Sequence, residues 1–209
     1  MADYKDIAGT TVRGNAGDLT GAKTGELFYD STNEDFKYRF PAVTSAGSWR
    51  TGNNLNAARK EMCGAGIQTA ALAFGGQVDP PYSAANESYD GTSWTEIADL
   101  NTARSTLGVG TQTAALAISG TTGAVTAIVE QWNGTSWTEI ADLNNGRRKM
   151  AGSGTVTSAL AFAGDNPADT PDTKKTNESW NGTSWAEVAD MNTARRELGG
   201  VGSSNTSAL

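Results

Sequence analysis

Histidine is absent from the 209 residues, and cysteine occurs once, as Cys63. The first absence removes Ser-His-Asp and Cys-His nucleophilic machinery together with the commonest transition-metal ligand. The second excludes a disulfide framework within the chain, and Cys63, beside Gly64, reads as a small core residue. No apolar run approaches the roughly 18 residues of a membrane-spanning helix. The opening Met1-Ala-Asp-Tyr-Lys-Asp has neither the basic start nor the apolar centre of a secretory signal. Basic residues are the minority, 16 against 23 acidic, for a net charge of −7 and a pI near 4.6. That balance argues against nucleic acid and anionic membrane as partners. No phosphate-binding Gly-x-x-x-x-Gly-Lys-Ser/Thr loop is present. Five Asn-x-Ser/Thr triplets, at Asn86, Asn133, Asn177, Asn181 and Asn205, read as turn chemistry without a signal peptide to make them glycan acceptors.

What the chain does hold is a repeat. Gln68 to Arg104 returns as Gln112 to Arg147 and again as Val156 to Arg195. Trp49, Trp94, Trp137 and Trp185 are separated by 45, 43 and 48 residues, and Arg59, Arg104, Arg147 and Arg195 keep the same spacings. Self-similarity at that period marks a stacked-unit architecture. Each unit predicts four short strands. A Gly-x-Gly pair (Gly64/Gly66, Gly108/Gly110, Gly152/Gly154, Gly200/Gly202) marks a strand that another backbone approaches closely. The apolar runs Ala70 to Phe74, Ala114 to Ile118 and Ser158 to Phe162 predict doubly buried strands, ended by Gly75-Gly76, Ser119-Gly120 and Ala163-Gly164. Asp90-Gly91, Asn133-Gly134 and Asn181-Gly182 predict two-residue type I′ hairpins. Their flanking aromatics, Tyr89 with Trp94, Trp132 with Trp137 and Trp180 with Trp185, are placed to pack across strands. Trp94, Trp137 and Trp185 are expected to be buried between units, each against the Leu or Met of its own unit (Leu100, Leu143, Met191).

At Gly75-Gly76, Glu87-x-Tyr89-Asp90, Trp94, Ala98-x-Leu100 and Arg104 the chain resembles the kelch-repeat family, over about residues 46–209. The doublet is intact only in the first unit, and the Tyr-to-Trp gap is short for the family. The resemblance implies an all-β fold of kelch-like β-propeller blades, four-stranded and about 43–48 residues each, used as a binding platform. The units fall near 49–93, 94–136 and 137–184, with a partial one at 185–209. Ser207-Ala208-Leu209 matches the first unit's Ala70-Ala71-Leu72, the opening of a strand, so the array reads as incomplete. Further chain, or other copies, would supply the missing blades.

Residues 1–45 lie outside the repeat. Within them 26–40 reads as a hairpin, with the turn at Asp30 to Asn33 and Phe36, Tyr38 and Phe40 alternating with Lys37 and Arg39. Leu19 to Thr32 is similar to leader segments of bacteriophage tail-fibre and appendage proteins. That likeness implies an attachment segment, and a homotrimer is one assembly it allows. The other reading is that the hairpin caps the first blade.

Repeated carboxylates at Glu87, Glu130 and Glu178, and at Glu96/Asp99, Glu139/Asp142 and Glu187/Asp190, invite a glycosidase reading. A catalytic pair should occur once, so copies in every unit point to the fold. The four arginines are likewise assigned to carboxylates or carbonyls within or between blades rather than to a basic ring. The chain is thus read as non-enzymatic, with no catalytic residue, cofactor or metal site.

The variable stretches lie between the Gly doublet and the next Glu, which follows 11, 10 and 14 positions after the second residue of the doublet. The loops Gln77 to Ala85, Thr121 to Ala127 and Asp165 to Thr176 therefore emerge on one face, where specificity resides in rigid scaffolds. Asp79, Tyr82, Asp165, Asn166, Asp169 and Lys174 are the candidate receptor-binding residues; the alternative is that these loops are merely tolerant. The expectation is a virion appendage or tail-fibre protein, assembled in the host cytoplasm. It would dock on other tail proteins and bind a bacterial surface glycan or protein, without inserting into a membrane. A kelch-type protein-interaction adaptor is the alternative, and a carbohydrate-active enzyme a third.

Overall fold

The computed structural model describes residues 13–15, 27–38, 52–79 and 81–208. Packing divides the chain into two units, Met1–Thr51 and Gly52–Leu209. Among the described residues every regular element is a strand.

In the first unit β1 (Arg13–Asn15) pairs in parallel with β2 (Leu27–Asp30), which pairs antiparallel with β3 (Asp35–Tyr38). The β2–β3 turn is built on Asp30, whose carboxylate accepts the Thr32 N–H at 2.9 Å and the Asn33 amide at 2.7 Å. Strand β1 carries no periodic signal, and three residues are too few to show one. Phe40 and Trp49 lie outside the described residues.

The second unit holds three four-stranded antiparallel sheets, each in simple sequential order. The first is β4 (Cys63–Ile67), β5 (Ala70–Phe74), β6 (Asn86–Tyr89) and β7 (Trp94–Ile97). The second is β8 (Ser105–Gly110), β9 (Ala115–Thr121), β10 (Val125–Trp132) and β11 (Trp137–Glu139). The third is β12 (Ala151–Thr155), β13 (Ser158–Phe162), β14 (Asn177–Trp180) and β15 (Trp185–Val188). A hairpin of β16 (Gly202–Ser204) and β17 (Ser207–Ala208) follows. Each sheet begins just after the repeated arginine and ends on the strand that the tryptophan opens. The Trp-to-Trp periods therefore run across two sheets.

The glycines set how closely the sheets approach. The first strands stand side by side, β8 against both β4 and β12, and β12 against β16. A Cβ on Gly108 would lie 2.6 Å from Phe74 Cζ and 2.9 Å from Cys63 Sγ, so only a residue without a side chain fits under the preceding sheet. At the doublets, the second position is the demanding one. Gly76, Gly120 and Gly164 have φ of 102°, 112° and 98°, and a Cβ on Gly120 would sit 1.9 Å from the Ser105 carbonyl oxygen. The first position is left-handed too, yet Ser119 (φ 53°) and Ala163 (φ 60°) occupy it, a conformation that costs roughly 1–2 kcal/mol without glycine. This is why the doublet drifts at its first residue and not at its second.

The core alternates along each second strand. Ala115 and Ala117 of β9 face the first sheet, among Leu72, Phe74, Leu100, Trp132 and Trp137. Leu116 and Ile118 face the third sheet, among Leu143, Ala159, Ala161, Trp180 and Trp185. Small residues on one face leave room for the aromatic pair of their own sheet, and that face meets the large residues of the sheet before. Both faces of β9 are buried, as its apolar run predicts.

Two expectations need correction. The hairpins are not two-residue type I′ turns. Tyr89 pairs with Trp94, Trp132 with Trp137 and Trp180 with Trp185, leaving four-residue loops. Only the glycines there have positive φ; Asp90 Oδ1 instead accepts the Thr92 and Ser93 N–H groups at 2.8 and 2.7 Å. Asn133 and Asn181 do the same. The side chain closes the loop, so its backbone needs no mirror-image turn. Nor do Trp137 and Trp185 pack on the Leu or Met of their own units, and Trp94 is only half-buried. Trp137 shares its cluster with Leu100, and Trp185 with Leu143, because the aromatic face of each sheet looks back at its predecessor.

Candidate binding cleft and the arginine staples

The repeated arginines join consecutive sheets. The main chain of Arg104 belongs to the first sheet's loop end: its N–H donates to the Ser83 carbonyl (3.3 Å) and its own carbonyl accepts the Gly76 N–H (2.9 Å). Its side chain enters the second sheet. There Nε donates to the Ser119 carbonyl (3.2 Å), Nη2 to that of Ala117 (3.0 Å), and Nη1 to the Glu130 carboxylate. The Asn101 N–H donates to the other oxygen of Glu130 at 2.7 Å. Arg59–Glu87 (2.7 Å) and Arg147–Glu178 (2.8 Å) repeat the pair, and none of the six side chains is exposed. Burial pulls the Arg147 guanidinium down from its ordinary value, opposed by the adjacent Glu178 carboxylate. Arg195 keeps the main-chain half of the staple, accepting the Gly164 N–H at 2.9 Å.

Antiparallel order puts the second-to-third-strand loops and the links between sheets at one end of the stack. The first loop carries Asp79, 94 % exposed and 3.9 Å from Lys60 Nζ, and Tyr82, half-buried. The second loop shrinks to a turn at 122–124, because β9 and β10 continue pairing to Thr121 and Val125. The third loop commits its charges internally. Asp165 is fully buried, accepting Arg148 Nε at 3.1 Å and Arg196 Nη1 at 3.0 Å. It therefore fastens the loop and is not available to a receptor, a correction to its placement among the recognition residues. Asp169 pairs with Lys174 at 2.9 Å, and Asn166 Oδ1 accepts the Ala168 N–H within the loop. Asn166, Asp169 and Lys174 border a cleft of about 270 Å³ with Asn144 and Asn145.

A larger cavity, about 430 Å³, opens above the short second loop. One wall is Glu61, Met62, Gln77 and Tyr82; the floor is Ser105, Thr106 and Thr121; the far wall is Arg148, Lys149, Met150 and Glu197. Of the six residues singled out in the loops, only Tyr82 lines it. Those missed are the residues just after each staple. Glu61, Lys149 and Glu197 all adopt left-handed backbone, with φ of 52°, 54° and 57°, an uncommon state for long charged side chains. Their signal lay in aligning Arg-Lys-Glu-Met, Arg-Arg-Lys-Met and Arg-Arg-Glu-Leu against Arg-Ser-Thr-Leu of the second unit. Lys149 is paired with Glu197, whose carboxyl that hydrogen bond holds below its ordinary value. By contrast the side chains of Glu61, Gln77 and Tyr82 make no hydrogen bond or ion pair with the described residues. The charges of one wall are therefore paired, and the polar side chains of the other are free to bond. The only lone thiol, Cys63, accepts the Gly108 N–H at 2.6 Å and is pushed up in pKa by burial. No protein-family model matches this chain, and no curated protein matches it significantly.

Proposed function

We propose that this chain is a non-enzymatic binding module, a row of kelch-like blades in a virion appendage or tail-fibre protein. In this reading the loop face meets a bacterial surface glycan, and residues 1–45 attach the module to other tail proteins. The observation that carries it is the cavity wall of Glu61, Gln77 and Tyr82, whose polar groups stay open while the charges of the third loop and the far wall are paired. A phenol ring beside acceptors and an amide suits a sugar, which offers an apolar face and a rim of hydroxyls. Against catalysis, Glu87, Glu130 and Glu178 are each held by an arginine and withdrawn from solvent. The virion context rests on the resemblance of Leu19 to Thr32 to appendage leaders. Weak binding at each site would be multiplied by several copies on one particle.

The test is adsorption of the purified chain to host cells, with and without competing surface polysaccharide, for the wild type and for Tyr82→Ala. Competition by polysaccharide and loss of adsorption in the variant are expected. Adsorption that survives both would refute the reading.

A further inference from the structure

The cavity also has a sign. Its far wall looks basic in sequence, but every cation there is committed: Arg148 to Asp165 at 3.1 Å, and Lys149 to Glu197. Arg196 behind them is held by Asp165 at 3.0 Å and Asp172 at 3.6 Å. On the opposite wall Glu61 has no cationic partner. Lys60, its neighbour in sequence, directs its ammonium towards Asp79, 3.9 Å away in the first loop. The floor of Ser105, Thr106 and Thr121 is neutral, and those hydroxyls are taken by the carbonyls of Glu61, Ile118 and Ala124. The one charged side chain lining the space without an ion-pair partner among the described residues is thus that of Glu61, on the same wall as Tyr82; Arg148 opposite is paired through Nε alone and keeps its two Nη groups as donors.

We propose that this cavity selects a sugar bearing a protonated amine, with Glu61 as the counter-charge and the Tyr82 ring as an apolar and cation-accepting face. The inference rests on the reading that the cavity binds sugar, and goes beyond it in naming the charge of the ligand. An acidic sugar would meet the unpaired Glu61 carboxylate, and the cations opposite are already paired with Asp165 and Glu197. A neutral sugar would bond to Gln77 and Tyr82 and leave the carboxylate unpaired. Glu61 stands at the rim, where an ion pair is worth at most about 1 kcal/mol, or about fivefold in affinity.

The experiment is an NMR shift titration of the full chain with the methyl glycosides of glucosamine, glucose and glucuronic acid. Ionic strength is held equal, at a pH where the amine is protonated. The amine should bind about fivefold more tightly than the neutral sugar, and the acid most weakly. Glu61→Gln, which keeps the side-chain length at this left-handed position, should erase the preference, bringing the amine and neutral glycosides to equal affinity. Equal affinity for amine and neutral sugar in the wild type would overturn the charge preference while leaving sugar binding standing. Tighter binding of the acid, or a preference that survives Glu61→Gln, would also overturn it. Absence of binding by all three would sink this inference and the sugar reading together.

Discussion

Arg104 and Glu130 form an ion pair that solvent does not reach, and the two residues come from different layers of the fold. The arginine is bonded through its main chain to the first sheet and through its guanidinium to the second. A charge pair so placed costs desolvation that only complete hydrogen bonding offsets. Arg104 achieves it: all three of its guanidinium nitrogens have partners. Arg147 does not, since its Nε and Nη2 have none.

Removing one partner should therefore be worse than removing both. Arg104→Met strands the Glu130 carboxylate in the interior and is expected to cost about 3–5 kcal/mol in chemical denaturation. Arg104→Met with Glu130→Leu should recover a large part of that loss. A double variant no more stable than the single one would show that the arginine acts through its carbonyl bonds rather than through the charge pair.

The tryptophans should divide by position. Trp137 is 5 % exposed and lies 4.9 Å, ring to ring, from Phe74 of the preceding sheet; Trp94 is only half-buried. Trp137→Ala is expected to cost about 3–5 kcal/mol and Trp94→Ala clearly less. Thermal unfolding of the two variants side by side decides it, and equal losses would contradict the backward-facing packing. Trp137→Phe should be mild, because the indole N–H of Trp137 has no acceptor among the described residues.

At the doublets the two positions should differ in kind. Gly75→Ser copies the residue at Ser119 but brings a Cβ to 2.5 Å from the Arg104 carbonyl oxygen, so it should cost more than the roughly 1–2 kcal/mol of left-handed backbone alone. Gly120→Ala forces a Cβ to 1.9 Å from a main-chain oxygen, which only movement of the neighbouring strand can relieve. Its loss in denaturation midpoint should be the larger. If the two variants are alike, the close approach is not what retains the second glycine.

Asp90 makes a pH prediction. Main-chain N–H donors, from Ser93 first and Thr92 second, hold its carboxyl below the ordinary value of 3.8. A carboxylate depressed on folding adds stability that is present above its unfolded pKa and is lost as pH falls through the folded one. Asn133 and Asn181 accept the same bonds without titrating. Asp90→Asn should thus leave the hairpin intact and remove the acid-side loosening of the first sheet. Amide exchange at Thr92 and Ser93 from pH 5 down to pH 3 measures it; identical pH profiles for variant and wild type would refute the assignment.

The loop face yields one more comparison. Asp169 and Lys174 are bonded to each other, whereas the Tyr82 side chain has no hydrogen-bond partner among the described residues. Tyr82→Ala should abolish adsorption to cells, while replacing Asp169 and Lys174 together by alanine should leave it largely intact. The reverse order would move recognition from the cavity to the third loop.

What the sequence determined by itself was whatever depends on near neighbours along the chain. The repeat is visible in spacing, the strands in short apolar runs, and the tight sheet approach in Gly108, Gly152 and Gly200. Even the misread turns were local: Asp90-Gly91 marked the right place, and the error lay in not counting the carboxylate as a partner for its own loop. Tertiary structure alone decided which neighbour each face meets. The period is the same whether Trp137 packs on Leu100 or on Leu143, and only the stacking direction chooses. It also decided which charges are spent. Asp165 and Glu61 look alike in sequence, but two guanidiniums from separate segments close on Asp165 and none reaches Glu61. Hydrogen bonds between residues 17 or 31 positions apart leave no trace in local pattern, because chain separation does not reveal spatial distance.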